Sequence, residues 1–365
     1  MELAKQNVLF IGRATQQAGA ENVVLQFCET LKPQVNNIVV CSADGFNKMA
    51  LSELDIKFYP IPDIENKNLK NMLKIARTIK KIVAEEHITV IHTHHRMAAY
   101  YVTLLRLYKR CVFINTSHNT FFNKKLLTRF AYKHAHLIAC GEMVKKNLVD
   151  VYGLPDKQVT VIHNAVKSFD GEITVDPLIK KLHDQGCFIV GNVGRLSVQK
   201  GMEYFIKAVP YVVRTHPEAR FVIAGSGEDE ERLKKLSGEL RVADYLTFLG
   251  YRTDVQNLMS QLDLVVLSSL WEGLPLTPIE AFSVGKTVVA TAVDGTVEIV
   301  KDKENGLLVK PRDPEGLARQ INWTIGNPER RKEMETRANE RYREEFSFEN
   351  LKQKCVSYYE ELEPQ

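Results

Sequence analysis

The sequence predicts an α/β protein built from two doubly wound halves, on three observations. Its 365 residues exceed what one hydrophobic core usually organises. Short β-rich runs alternate with amphipathic helical stretches along the chain, the pattern of parallel sheets assembled from βαβ units. The alternation falls into two series, parted by a polar, turn-rich stretch around residues 164–186.

The first series places strands at Asn7–Gly12, Asn37–Ser42, Ile88–Thr93, Cys111–Ser117 and Leu137–Cys140. The second places them at Phe188–Val193, Arg220–Ala224, Leu246–Leu249, Leu264–Ser268 and Val288–Thr291. Each is a short, nearly continuous apolar run, as expected where helices cover both faces of a parallel sheet. Between the series stand Ser168, Asp170, Gly171, Asp176 and Pro177, which interrupt regular structure. The expected division is a first domain over 1–165, a linker over 166–186 and a second domain over 187–346. Open α/β sheets bind ligands outside the carboxyl ends of their strands, so the two halves are expected to face each other across a cleft.

Composition removes several classes. Hydrophobic residues make up 44% and charged residues 26%, ordinary for a globular chain and unlike a disordered or membrane-embedded one. Forty-nine Lys and Arg against 45 Asp and Glu give a net charge of +4, too balanced for a nucleic-acid binder. The six cysteines form no Cys-x-x-Cys pair, so neither a disulfide framework nor a zinc cage is signalled, and they read as buried thiols. An apolar strand at Val8–Ile11 follows the first residues without room for a leader, and no uncharged apolar run reaches the roughly 18 residues that span a bilayer. A cytoplasmic location is the expectation.

Two segments carry chemistry. After the strand ending at Ser268, Glu272 and Glu280 stand eight positions apart around Gly273, Leu274 and Pro275. Glu280, on or near a helix N-terminus, can accept two hydroxyl hydrogen bonds from a ribose or sugar, while Glu272 and the amides after it address another polyol. The alternative is a Glu280 that offsets the helix dipole and a Glu272 solvated in a turn. After the strand ending at Val193 comes Gly194-Arg195-Leu196-Ser197-Val198-Gln199-Lys200-Gly201, whose glycines admit a ligand to the backbone and whose Arg195 and Lys200 can neutralise a diphosphate. Two solvated loop cations are the alternative there.

Taken together, these residues resemble glycosyltransferase family 4, the retaining, nucleotide-sugar-dependent enzymes of the GT-B fold. The resemblance rests on the ordered set of Ala18-Gly19-Ala20-Glu21, Ile162-His163-Asn164-Ala165-Val166, Gly194 to Gly201, Glu272 to Glu280, and Glu304-Asn305-Gly306-Leu307-Leu308-Val309. It implies two Rossmann-like domains, an acceptor-side first and a nucleotide-sugar-binding second. It implies that Arg195 and Lys200 bind the donor diphosphate and that Glu280 holds the ribose. Glu272, with Gly273 and Leu274, would hold the donor sugar. Tyr251 and Arg252 would border the nucleobase, a plain surface turn being the alternative, and Gly19 would let its loop close over the diphosphate. His94, in Ile91-His92-Thr93-His94-His95, is implied near the reactive sugar carbon. His118 is a candidate for the acceptor side, a structural histidine being the alternative. The tail over 347–365 either packs back onto the first domain, as in GT-B enzymes, or caps the second. Ala18, Pro275, His163 and Ala165 depart from the family's pattern.

No Asp-x-Asp is present to carry a divalent ion, so the expected transfer needs neither cofactor nor metal: Arg195, Lys200 and a helix dipole would do that electrostatic work. No nucleophile is assigned. The expected donor is a nucleotide sugar, most readily a UDP-sugar, and the acceptor a lipid-linked or other saccharide in cell-surface polysaccharide or glycolipid synthesis. From Arg96 to Lys146 ten cations face one acid, Glu142, a net +9 that leaves −5 for the rest of the chain. Within it, Leu126, Leu127 and Phe130 share a helical face beside cations, which suits peripheral contact with an anionic membrane; a helix covering the sheet is the alternative. Rival readings are a nucleotide-sugar epimerase of the same fold and a non-catalytic sugar-nucleotide-binding subunit of a polysaccharide assembly complex. A dinucleotide oxidoreductase is disfavoured, because Gly12-Arg13-Ala14-Thr15-Gln16-Gln17 is not a Gly-x-Gly-x-x-Gly turn.

Overall fold

The computed structural model describes residues 1–13 and 19–362. They form two compact units: Met1–Asn164 joined by the chain from Phe348 onward, and Ala165–Ser347. Each is a parallel sheet flanked by helices, the α/β class read from the alternation of elements.

The first unit carries β1 (Asn7–Ile11), β2 (Asn37–Ser42), β3 (Lys57–Pro60), β4 (Val90–Thr93), β5 (Val112–Ser117), β6 (His136–Ala139) and β7 (Val159–Val161). Their order, β3-β2-β1-β4-β5-β6-β7, reverses direction between β1 and β4. The central strands are buried along almost their whole length, which is why continuous apolar runs revealed them. β3 and β7 escaped the sequence because they are short edge strands with exposed positions and no continuous apolar run.

The second unit carries β8 (Phe188–Val193), β9 (Ala219–Ala224), β10 (Leu246–Gly250), β11 (Leu264–Leu267), β12 (Val288–Thr291) and β13 (Gly306–Val309), in the order β10-β9-β8-β11-β12-β13. β8 and β12 match their expected limits residue for residue. β13, four residues at the sheet edge beginning on glycine, was not expected as a strand. The core of this unit joins Val190, Phe205, Val209, Phe221, Val266 and Leu317.

The stretch expected as a linker is part of the second unit and contains a helix, Pro177–Asp184. Asp176 caps it by accepting from the amides of Leu178 and Ile179, and Pro177 takes the first turn, where a missing N–H costs nothing. Pro and Asp therefore mark a helix start here. The C-terminal helix Phe348–Glu361 belongs to the first unit and packs on the helix Gly19–Leu31. All six cysteines are buried free thiols. Among the described residues, no helix is long and apolar enough to cross a membrane.

Candidate functional site

In the second unit the chemistry sits at the carboxyl ends of β8 and β11, adjacent strands on either side of the reversal in strand order. The turn after β8 is stitched to the turn after β11: Leu270 N donates to Gln199 O at 2.8 Å and Ser268 Oγ to Lys200 O at 3.0 Å. Gly201 closes that turn at φ +57°, where a Cβ would stand 2.3 Å from Ser268 O, so only glycine lets the two turns approach this closely.

The stitching aims Lys200 at Glu272. Lys200 Nζ donates to Glu272 Oε1 at 2.7 Å, and Ser269 Oγ donates to the same oxygen at 2.6 Å. Gln199 Nε2 lies 3.5 Å from the other oxygen. The side chains of the ion pair are only 19% and 6% exposed, so both charges depend on each other for solvation. The backbone N of Glu272 donates to Asp294 Oδ2 at 3.2 Å, and burial together with Glu272 pushes the Asp294 carboxyl upward.

Glu280 has no such partner. It lies in the second turn of the helix Leu276–Ser283, too far in to offset the dipole, which corrects the placement on or near the helix start and removes the bland alternative for this residue. Among the described residues its carboxylate forms no hydrogen bond or ion pair, and burial pushes it up to about 7 against the opposing pull of Lys200. A partly buried carboxylate without a donor is poised to take hydroxyl hydrogen bonds from a ligand. Pro275 and Pro278 lack N–H groups, so the amides of Leu276 and Thr277 are the donors at this helix start. Gly273 and Leu274 are buried in the connecting turn.

Arg195 is exposed and, among the described residues, pairs with no carboxylate. Tyr251 presents a ring 62% exposed, but its neighbour Arg252 is committed elsewhere: it donates to Asp254 at 2.7 Å and to Asp176 at 2.6 Å. Arg252 thus ties the turn after β10 to the cap of the helix Pro177–Asp184 instead of offering its guanidinium outward.

In the first unit, His94 and His118 come together. They follow the adjacent strands β4 and β5, and His94 Nδ1 lies 3.0 Å from His118 Nε2 with the rings stacked. His94 also packs against His92, with centroids 4.4 Å apart and the rings tilted by 35°. Burial holds all three neutral: His92 and His94 fall well below the usual imidazole range and His118 falls to about 4. Gly19 opens the helix Gly19–Leu31, while the loop assigned to it, at 14–18, lies outside the described residues.

Sequence reasoning missed Gln199, Ser269 and Asp294, and, in the first unit, His92 and Tyr359. A strand end followed by Asp-Gly pointed to Asp294; nothing local pointed to Tyr359. Among the described residues, no three His, Cys, Asp or Glu side chains are grouped to hold a metal ion.

Residues 178–341 match the family of glycosyl transferases group 1, and residues 18–168 match glycosyltransferase family 4. The chain is 25% identical over 342 residues to an uncharacterized glycosyltransferase of Methanocaldococcus jannaschii, covering 82% of this chain and 87% of that one. It is 28% identical over 322 residues to the Escherichia coli UDP-Gal:alpha-D-GlcNAc-diphosphoundecaprenol alpha-1,3-galactosyltransferase, covering 81% and 82%. The fold is similar to that of Anabaena Alr3699/HepE in complex with UDP-glucose, with a TM-score of 0.83, 22% identity and coverage of 98% and 100%.

Proposed function

The chain is a glycosyltransferase of the GT-B fold, and from that premise we propose that it moves a hexose or N-acetylhexosamine from a UDP-sugar to a lipid-linked or saccharide acceptor of a cell-surface polysaccharide or glycolipid, with retention at the anomeric carbon. The observation that carries the donor side is the Glu280 carboxylate, unpartnered among the described residues and beside the Lys200–Glu272 pair. In this reading Glu280 accepts both ribose hydroxyls, and Arg195 and Lys200 neutralise the diphosphate as the anomeric C–O bond breaks. Glu272 with Gly273 and Leu274 addresses the sugar hydroxyls, and Tyr251 borders the base. No metal or cofactor is required, because the two cations and the amides of Leu276 and Thr277 supply the electrostatic stabilisation of the leaving diphosphate.

A thermal-shift screen against UDP-, GDP- and ADP-sugars tests the donor. The UDP-sugars are expected to raise the melting temperature by several degrees through preferential binding to the folded state. A response confined to GDP- or ADP-sugars would overturn the choice of base.

The acceptor side of the reading includes contact with an anionic membrane, at the inner face of the cell membrane. The helix Lys125–Tyr132 turns Thr128, Ala131 and Tyr132 inward, whereas Leu126 is 82% exposed and Phe122, just before the helix, is 79% exposed. An apolar face that simply covered the sheet would bury Leu126. Lys124, Lys125 and Arg129 flank these residues, and each cation near an anionic surface contributes on the order of 1 kcal/mol. Burying a Phe and a Leu adds roughly 1.5–3 kcal/mol each. Replacing Phe122 and Leu126 together by Ser is expected to cut sedimentation with phosphatidylglycerol vesicles at least tenfold while leaving the melting curve unchanged. Equal recovery of the wild type with neutral and anionic vesicles would sink the membrane contact.

A further inference from the structure

His92 is held at both ring nitrogens: Nδ1 lies 2.7 Å from Tyr359 Oη and Nε2 lies 2.7 Å from Thr116 Oγ1. All three side chains are buried, and Tyr359 comes from the C-terminal helix, 267 positions along the chain. His92 is therefore a fixed plate against which the His94 ring packs, with Phe10 and Phe27 completing the enclosure at 5.8 and 5.7 Å. Among the described residues the His94 ring forms one hydrogen bond, to His118, and its outer nitrogen, Nε2, is buried without a partner; so is Nδ1 of His118.

Two neutral imidazoles sharing one hydrogen bond have two arrangements. Either His94 Nδ1 donates to His118 Nε2, which puts the remaining proton of His118 on Nδ1, or the direction reverses and a proton sits on His94 Nε2. Either arrangement leaves one buried N–H without an acceptor, on His118 Nδ1 or on His94 Nε2, and such a group calls for a ligand oxygen; His118 is the less buried residue and so the one a ligand reaches. The first arrangement follows, with His118 Nδ1–H as a buried hydrogen-bond donor on the less buried residue.

We infer that Tyr359, acting through His92, is a positioning residue for the His94–His118 pair, and that the pair presents the His118 Nδ1–H to a ligand oxygen of the donor or acceptor. The role of that N–H in transfer rests on the glycosyltransferase reading; the arrangement of the pair does not. It reverses the order of the two histidines read from the sequence: His94 stands behind, and His118 faces the ligand. It also gives the C-terminal helix a part in the site beyond packing. With Tyr359 removed, His92 loses one of two anchors, its ring is free to turn, and the plate behind His94 loosens. The shared hydrogen bond, which depends on angle, then spreads over both arrangements.

The test uses the full-length chain with 15N-labelled histidine. In the wild type, His118 is expected to carry its proton on Nδ1 with Nε2 bare, and in Tyr359→Phe that signature is expected to average toward a mixture of both tautomers. UDP release is measured with a membrane lipid extract as acceptor source, using whichever of UDP-glucose, UDP-galactose and UDP-N-acetylglucosamine gives the largest thermal shift. Tyr359→Phe is expected to lower kcat ten- to a hundredfold with the donor KM within twofold of wild type. Thr116→Val, which removes the other anchor without touching the C-terminal helix, is expected to give the same pattern, with melting curves establishing that each variant folds. An unchanged kcat and tautomer in both variants, or a wild-type His118 protonated on Nε2, would overturn the proposal. A wild-type chain that releases no UDP would instead overturn the transfer reading, and the nitrogen spectrum alone would then decide the positioning.

Discussion

Replacing Glu280 by Gln is expected to weaken UDP binding by about a hundredfold and to raise the melting temperature at pH 8. The two effects have one cause. Burial pushes the carboxyl up to about 7, so the folded protein resists ionising a group that the unfolded chain ionises near 4.5. Below pH 4.5 the group is protonated in both states and contributes nothing. Between 4.5 and 7 the folded state binds more protons than the unfolded state, so stability falls as pH rises, by at most about 3 kcal/mol once pH exceeds 7. Glutamine removes that penalty, so the gain should be several degrees at pH 8 and absent at pH 4. Binding runs the other way. Only the carboxylate accepts from both ribose hydroxyls, and losing two charge-assisted hydrogen bonds costs about 3 kcal/mol, or a hundredfold. Wild-type affinity for UDP should therefore tighten about tenfold from pH 6 to pH 8 and level off above, whereas Glu280→Gln should bind weakly and without that slope. Calorimetry at three pH values checks both. A variant that binds UDP normally, or a wild-type affinity flat across this range, would remove Glu280 from the ribose.

How much of this was legible from the sequence depends on whether the cause is local. β8 and β12 are continuous apolar runs between turns, and a buried parallel strand leaves that mark whatever surrounds it. β3 and β7 sit at a sheet edge, where half-exposed positions erase it. Lys200 and Glu272 could each be singled out because strand ends concentrate ligand chemistry, but that they pair with each other came only from the fold. The state of Glu280 could not, since spacing says nothing of desolvation. Periodicity put Leu126, Leu127 and Phe130 on one face, but not which face the helix Arg96–Leu104 covers; Thr128, Ala131 and Tyr132 are the buried ones. Arg252 was a plausible ligand contact until Asp176 and Asp254 were seen to occupy it. The Tyr359–His92 bond joins the two chain segments of the first unit through the fold alone, with no pattern in either segment to announce it.

Lys200→Ala is expected to lower transfer by at least about a thousandfold and, unlike Glu280→Gln, to destabilise the protein. A preorganised cation at a developing negative charge contributes on the order of a hundred- to a thousandfold in rate. Here the same cation also holds Glu272, so the sugar-facing carboxylate loses its alignment along with the diphosphate's counter-charge. The stability loss comes from Glu272 itself, 6% exposed at its side chain and left, among the described residues, with Ser269 and Gln199 as donors. Breaking a buried pair from one side costs roughly 3–5 kcal/mol. Removing both charges, as in Lys200→Met with Glu272→Gln, should restore most of that stability and none of the activity, so a double-mutant cycle in melting free energy will be strongly non-additive. Lys200 is also the charge that opposes the upward push on Glu280, so its loss should move the midpoint of the UDP-binding pH profile above 7. A single-mutant stability within 1 kcal/mol of wild type would mean the pair is solvated in solution. A midpoint unmoved by Lys200→Ala would separate Glu280 electrostatically from the phosphate-binding turn, and the two halves of the donor site would then have to be argued apart.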